Sequence, residues 1–388
     1  MAAWEGFQRR SALPGSAKLV VDPCGHCQAA ASLFPDNLIF GRVLLPILMA
    51  FDMMSNSNMT NRTWPPVPEA VDDVTFYVMG ADESGAPGNH WTSLPDFPAP
   101  TPTTLFLAAD GALAPSAPPA GTAPGAIVYN PANPVPTIGG NNLEIACGPL
   151  DQRPIEKAAR ADVLIFTTPP LDAPLAVVGE LRARLHFSTD VVDTDLVVKL
   201  IDVYPANSSN PAEAGRSILV ADGIARARWR GYPAGGNEPQ LLSGDTSDTY
   251  EIDVSLWRTA YVFAEGHSLR VHVASSNYPR FFPNDNLGTP MATAKGPGGP
   301  NATAHTALHL EASRASSITL PVVPLAALPK FPVEEAVDSM LARHSARWEG
   351  GGARSRAPGD VDMRAWLQRR VAAALGAAAD SMRGGLEA

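Results

Sequence analysis

Residues 181–187 read Leu-Arg-Ala-Arg-Leu-His-Phe, and residues 268–275 read Ser-Leu-Arg-Val-His-Val-Ala-Ser. In the first stretch Leu181, Ala183, Leu185 and Phe187 share one face, with Arg182, Arg184 and His186 on the other. In the second, Leu269, Val271 and Val273 oppose Arg270 and His272. Successive side chains of a strand point to opposite faces, so each stretch is a strand with one buried side. Further apolar runs at 163–167, 196–203 and 250–254 stand between turn residues. From Pro95 to Pro136 prolines are dense, and the apolar pieces at 104–108 and 126–130 stand between them. Short strands at turn-punctuated intervals predict an all-β sandwich of roughly two hundred residues.

The chain on either side has a different texture. Residues 18–22 read as a short buried strand that ends in a Pro-Cys-Gly turn. Residues 28–33 start a helix, and 43–54 are apolar enough for a buried one, with Pro46 in its first turn or at a kink. Residues 74–79 form a β-branched and aromatic strand. Strand, helix and strand together read as a piece of an α/β layer. After Pro324 come two helix-like stretches, 333–348 and 360–382, separated by three glycines at 350–352. Asp360 caps the second, and Met363, Leu367, Val371, Leu375 and Met382 fall near one of its faces.

Composition narrows the function. The 388 residues are enough for two to three domains. The net charge of −10 argues against binding nucleic acid or an anionic membrane by bulk charge. The longest apolar candidate, Val43 to Phe51, is too short for a membrane span, and residues 1–15 contain no apolar signal core. That makes the cytoplasm the default compartment. Three cysteines exclude a disulfide-rich scaffold. Sequons at Asn58, Asn61, Asn207 and Asn301 carry little weight without a signal.

The sharpest local string is Cys24-Gly25-His26-Cys27, between a strand and a helix start. A thiol there is acidified by a helix N-terminus, which allows a thiol–disulfide oxidoreductase reading. Against it, only 23 residues precede Cys24, and no second half of a thioredoxin-like unit follows. A metal site from Cys24, His26, Cys27 and distant Cys147 lacks structural spacing. The other reading rests on His26 alone. A histidine in a turn just beyond a strand is where an α/β-hydrolase places its general base.

The string Lys-Leu-Val-Val-Asp-Pro-Cys-Gly-His (18–26) resembles the strand and G-P-W-x-H turn of the cocaine esterase and X-Pro dipeptidyl-peptidase family of serine hydrolases. The likeness continues in order. The segments at 74–83 with His90-Trp91, at 129–140, at 148–156, at 193–205, at 221–230 and at 274–284 each resemble a family segment. The resemblance implies an α/β-hydrolase core followed by a jelly-roll domain, and Ser-His-Asp acyl transfer with no cofactor or metal. It assigns His26 as the base. The family's serine lies in a G-x-S-x-G elbow upstream of the histidine, and this chain has no such pentapeptide. Asp22 is too close on the same strand to orient the ring, and Glu5 sits on an expected helix. The tryptophan of the family turn is Cys24 here.

Other candidates take plainer readings. Asp193 and Asp195 read as a solvated strand start rather than a calcium site, and Asp72-Asp73 as a loop. Arg226, Arg228 and Arg230 read as an exposed polar face, with Ala225, Ala227 and Trp229 opposite. Trp229, Tyr250, Trp257 and Tyr261 suggest a sugar-binding groove, but core packing is the ordinary use of such residues.

The expectation is a mainly β chain. Residues 1–98 are the end of an α/β-hydrolase core, 99–325 a jelly-roll domain, and 326–388 a helical extension. The function expected is that of a serine hydrolase of dipeptidyl-peptidase or esterase type, represented by an incomplete chain without nucleophile or acid. Its partner would be a small ester or peptide, homo-oligomers being compatible and nucleic acid and membrane excluded. The alternatives are a non-catalytic β-sandwich that binds a partner or carbohydrate, and the CGHC oxidoreductase.

Overall fold

The computed structural model describes residues 19–21, 23, 71–142, 145–207, 214–232, 235–236, 238–332 and 335. The helices expected at 28–33, 43–54 and 360–382, and all but Glu335 of the one at 333–348, lie outside these residues, as do His26, Cys24 and Cys27.

Among the described residues fourteen strands form two sheets. They are β1 (Leu19–Val21), β2 (Val74–Gly80), β3 (His90–Leu94), β4 (Thr101–Leu107), β5 (Leu113–Ala114), β6 (Gly125–Tyr129) and β7 (Val163–Thr167), then β8 (Leu175–Thr189), β9 (Asp195–Val203), β10 (Ser217–Arg226), β11 (Tyr250–Phe263), β12 (Ser268–Ala274), β13 (Ala304–His309) and β14 (Ser317–Val323). The larger sheet runs β1-β2-β11-β8-β14-β4-β5, with β3 on β2 and with β13 joining β8 to β6. The smaller runs β10-β9-β12-β7, all antiparallel. One short helix, α1 (Arg153–Lys157), begins with Pro154 in its first turn, where a missing N–H costs nothing.

Period two explains how the sheets face each other. Leu181, Ala183, Leu185 and Phe187 of β8 meet Leu269, Val271 and Val273 of β12 in one core, with Leu196, Val198 and Leu200 of β9. Each Leu, Val or Phe among them contributes about 1.5–3 kcal/mol when fully buried. Strand β9 is buried on both faces, and its three charged residues, Asp195, Lys199 and Asp202, are buried with it and hydrogen-bonded to Arg226, Gln152 and Tyr261.

The expected α/β layer and the sandwich share a sheet. β1 and β2 pair in parallel, Leu19 opposite Val74 and Val21 opposite Phe76. The far end of β2 pairs in parallel with β11, Met79 opposite Tyr261 and Gly80 opposite Val262. The expected boundary after residue 98 falls in the connection between β3 and β4.

β11 carries an irregularity between Ser255 and Arg258, and there Trp257 takes φ +66°. Strand β10 crosses this point through Gly223, where any Cβ would overlap the Ser255 carbonyl oxygen. The contact requires glycine.

Candidate functional site

A cavity of about 1120 Å³ opens between the β1–β2 strands and the sandwich. Val21 and Pro23, at the carboxyl end of β1, form part of its wall, with Phe76 and Met79 of β2. Ligands of open α/β sheets bind beyond the carboxyl ends of strands, so this end of β1 is where such a site is expected. His26 lies three residues after Pro23 in the sequence. Its own position is outside the described residues.

The sandwich supplies the opposite wall from a loop and an ion pair. Gly139 and Gly140 take φ +69° and +93°, and a Cβ on Gly140 would crowd the Arg280 guanidinium and the Asp222 carboxylate. The backbone can therefore lie directly on the Asp222–Arg280 pair, which Asn277 also meets by donating to Asp222 at 3.2 Å. The Gln152 side-chain amide holds the loop by donating to the Ile138 and Leu150 carbonyls, each at 2.9 Å. Asn142 closes it by donating to the Gly139 carbonyl at 2.7 Å. Cys147 is half-buried on the same wall. Trp257 projects at the rim, 69% exposed. The wall thus combines apolar surface with a charge pair, Asp222–Arg280, that is already satisfied.

Among the described residues five of the six histidine rings meet carboxylates or a carbonyl, His309 has a buried Nε2 without a hydrogen-bond partner, and no ring hydrogen-bonds a serine hydroxyl. His305 faces Asp190, His186 faces Glu251, His272 faces Glu156, His267 faces Asp202 and Glu83, and His90 faces the Leu328 carbonyl. No group of three metal-ligating side chains occurs among them, and no described helix is long and apolar enough to cross a membrane.

Several sequence expectations are corrected. Asp193 and Asp195 are fully buried, not solvated. Arg228 donates to Asp193 at 2.6 Å, and Arg226 grips Asp195 with two bonds of 2.7 and 2.8 Å. Asn284 bridges both aspartates at 2.8 and 3.0 Å. The arginine run is therefore not an exposed face. β10 ends at Arg226 and a 3₁₀ turn over Ala227–Trp229 breaks the alternation, which turns Arg228 inward and Trp229 outward. Such pairing satisfies charges that burial would otherwise penalise. Of the four aromatic candidates, Tyr261 is a core residue, as expected. Tyr250 packs partly buried on Phe187 under the Arg230 guanidinium, whereas Trp229 and Trp257 are exposed. Exposure of Trp229 and Trp257 corrects the core-packing expectation for those two, and the residues that sequence reasoning passed over are Asp222 and Arg280. The double glycine at 139–140 was the available signal for the loop, and nothing local marked the other two.

A β-sandwich whose sheet continues into a parallel strand pair, with a cavity at that pair's carboxyl end, is a sandwich domain joined to the edge of an α/β-type layer. Residues 67–319 match the model of the X-Pro dipeptidyl-peptidase C-terminal non-catalytic domain, and the chain belongs to this family. It is 35% identical over 266 residues to the cocaine esterase of Rhodococcus sp. (strain MB1 Bresler), across 65% of this chain and 42% of that protein. Among solved structures it resembles an alpha-amino acid ester hydrolase (28% identity, TM-score 0.64) over 83% of this chain and 52% of that one. It also resembles an aminopeptidase from a marine sediment Thaumarchaeota archaeon (26% identity, TM-score 0.64) with the same two coverages. The chain spans about half the length of these relatives, or less.

Proposed function

We propose that this chain is the carboxy-terminal part of a serine hydrolase of esterase or dipeptidyl-peptidase type. His26 is its general base, and the nucleophilic serine and triad acid are supplied from outside this chain. The observation that carries the reading is the carboxyl end of β1. Val21 and Pro23 line the large cavity, so the turn that leads to His26 starts at the cavity wall. The names of the relatives, an esterase, an ester hydrolase and an aminopeptidase, support acyl transfer as the reaction class.

In this mechanism His26 takes the serine proton as the hydroxyl attacks the acyl carbon. It then returns the proton to the leaving alcohol or amine, and water repeats the cycle on the acyl-enzyme. The acid orients the imidazole, and backbone amides stabilise the oxyanion. The family description of residues 67–319 as a non-catalytic domain favours one further reading, in which the sandwich alone acts as a binding module.

The test is to sequence upstream of Met1 in the same frame and to express the chain with and without any extension. Hydrolysis of p-nitrophenyl acetate or an X-Pro p-nitroanilide is expected only with an extension that carries G-x-S-x-G. His26→Ala should then reduce it by at least about 10⁴-fold. A stop codon immediately upstream, or an active extended enzyme indifferent to His26→Ala, would sink the proposal. In the stop-codon case the binding-module reading takes its place. Rapid alkylation of Cys24 at mildly acidic pH would instead favour the thiol–disulfide reading.

A further inference from the structure

The loop of residues 81–89, which follows β2, meets the sandwich at a buried histidine. His267 stands in the turn between β11 and β12 and is 1% exposed. Its Nδ1 lies 2.8 Å from Asp202 Oδ1, and its Nε2 lies 2.9 Å from Glu83 Oε1. A carboxylate only accepts, and a neutral imidazole has a single N–H. Asp202 hydrogen-bonds one ring nitrogen and Glu83 Oε1 meets the other as a close ion-pair contact, and the imidazolium is the ring form that matches both carboxylates in charge.

The surroundings reinforce this. The second oxygen of Asp202 accepts the Tyr261 hydroxyl at 2.8 Å. The Tyr204 ring packs 4.7 Å from His267, and its hydroxyl accepts the Asp82 backbone N–H at 2.8 Å. Arg216 lies 5.4 Å from the Tyr204 ring centroid and 3.9 Å from Asp82. The charged and titratable groups at this junction are thus Asp82 and Glu83 from the loop, with Asp202, Tyr204, Arg216 and Tyr261 from the sandwich.

We propose that His267 is a proton-operated latch, whose imidazolium holds loop 81–89, and with it the β1–β2–β3 strands, against the sandwich. Loss of one proton leaves a lone pair facing one carboxylate. Asp202 is fully buried and keeps its Tyr261 bond, whereas the Glu83 side chain is 30% exposed and is free to turn to water. The Glu83 contact is the one that opens. Burial works against the charged ring, yet the hydrogen bond and charge of Asp202, followed by those of Glu83, raise the His267 pKa above the ordinary histidine value. A raised folded-state pKa means that the latch contributes fully below about pH 6.5, the unfolded value, and fails as pH rises through the elevated one.

The experiment titrates the whole chain by NMR, following the His267 ring carbon-bound protons and the hydrogen exchange of amides 81–89. An inflection above about pH 6.5 is expected, with at least a tenfold loss of loop protection across it once intrinsic exchange rates are divided out. Glu83→Gln keeps an acceptor and removes the charge, so the inflection should move down by about one unit and the protection change with it. His267→Gln should give a loop weakly protected at every pH. An inflection at or below 6.5, or loop protection that ignores it in both wild type and Glu83→Gln, would overturn the proposal.

Discussion

Strands β8 and β12 read alike and are used differently. Both put alternate apolar residues into the same core and basic residues on the other side. On β8 that other side is open. Arg184 is 56% exposed and reaches Asp253 and Glu251 at 3.1 and 3.4 Å, and Arg182 is 52% exposed beside Glu180. On β12 it is sealed by α1, which lays Glu156 across it. Glu156 accepts from Arg270 at 2.7 Å, from His272 at 3.2 Å and from Ser217 at 3.0 Å. Burial lowers the His272 pKa, so His272 donates as a neutral ring and Arg270 supplies the matching charge. Lys199 of β9, beside them, is pushed by burial to about 8 and donates to Gln152 at 3.0 Å. An alternating polar residue marks the second face of a strand, and only the rest of the fold decides whether that face is wet.

The difference is testable by substitution. Glu156→Ala strips Arg270 and Ser217 of a shared buried acceptor and should cost about 3–5 kcal/mol in urea unfolding. Arg184→Ala on the open face should cost under about 1 kcal/mol. Equal costs would erase the distinction. Gly223→Ala forces β10 away from the β11 irregularity and should cost about 3 kcal/mol by the same assay, the upper end for overpacking. Trp257→Gly on the rim should gain about 1 kcal/mol by releasing a left-handed backbone, seen as a higher Tm.

A pH-dependent effect is expected in acid. Burial tends to raise the Glu156 pKa, but the His272 hydrogen bond and the Arg270 charge and hydrogen bond hold it below the usual value. A depressed folded-state pKa gives stability that is present above about pH 4.5 and lost as pH falls through the lowered value. Its slope is at most about 1.4 kcal/mol per pH unit. Glu156→Gln should flatten that limb of the unfolding curve, and Arg184→Ala should leave it unchanged.

Much of the sandwich was legible, because period two at Leu181–Phe187 and Leu269–Val273 needs no partner to be recognised. The extension of β8 back to Leu175 was not, since Gly179 takes φ +135° against Pro321 and breaks the alternation. Strand β14, with its central proline, and the five-residue α1 were too irregular or too short to signal themselves. The burial of Asp193 and Asp195 depends on Arg226, Arg228 and Asn284, which are distant in sequence, so no local pattern encodes it. At the candidate site the His26 turn was visible as a motif. The wall facing β1 was visible only as a double glycine, because the Asp222–Arg280 pair is assembled by folding.

The two residue pairs between β2 and β11 also set an order of assembly. Met79 and Gly80 leave the ribosome long before Tyr261 and Val262, their partners. Pairings so distant in sequence form late, after the loop-closure entropy between them is met. Until β11 arrives, the β2 edge that it will cover has only unsatisfied amides and carbonyls to offer, the kind of edge that captures neighbouring chains. The sandwich must therefore be nearly complete before the strands ahead of it find their place. In a growing chain this interval is the one in which a chaperone would matter most.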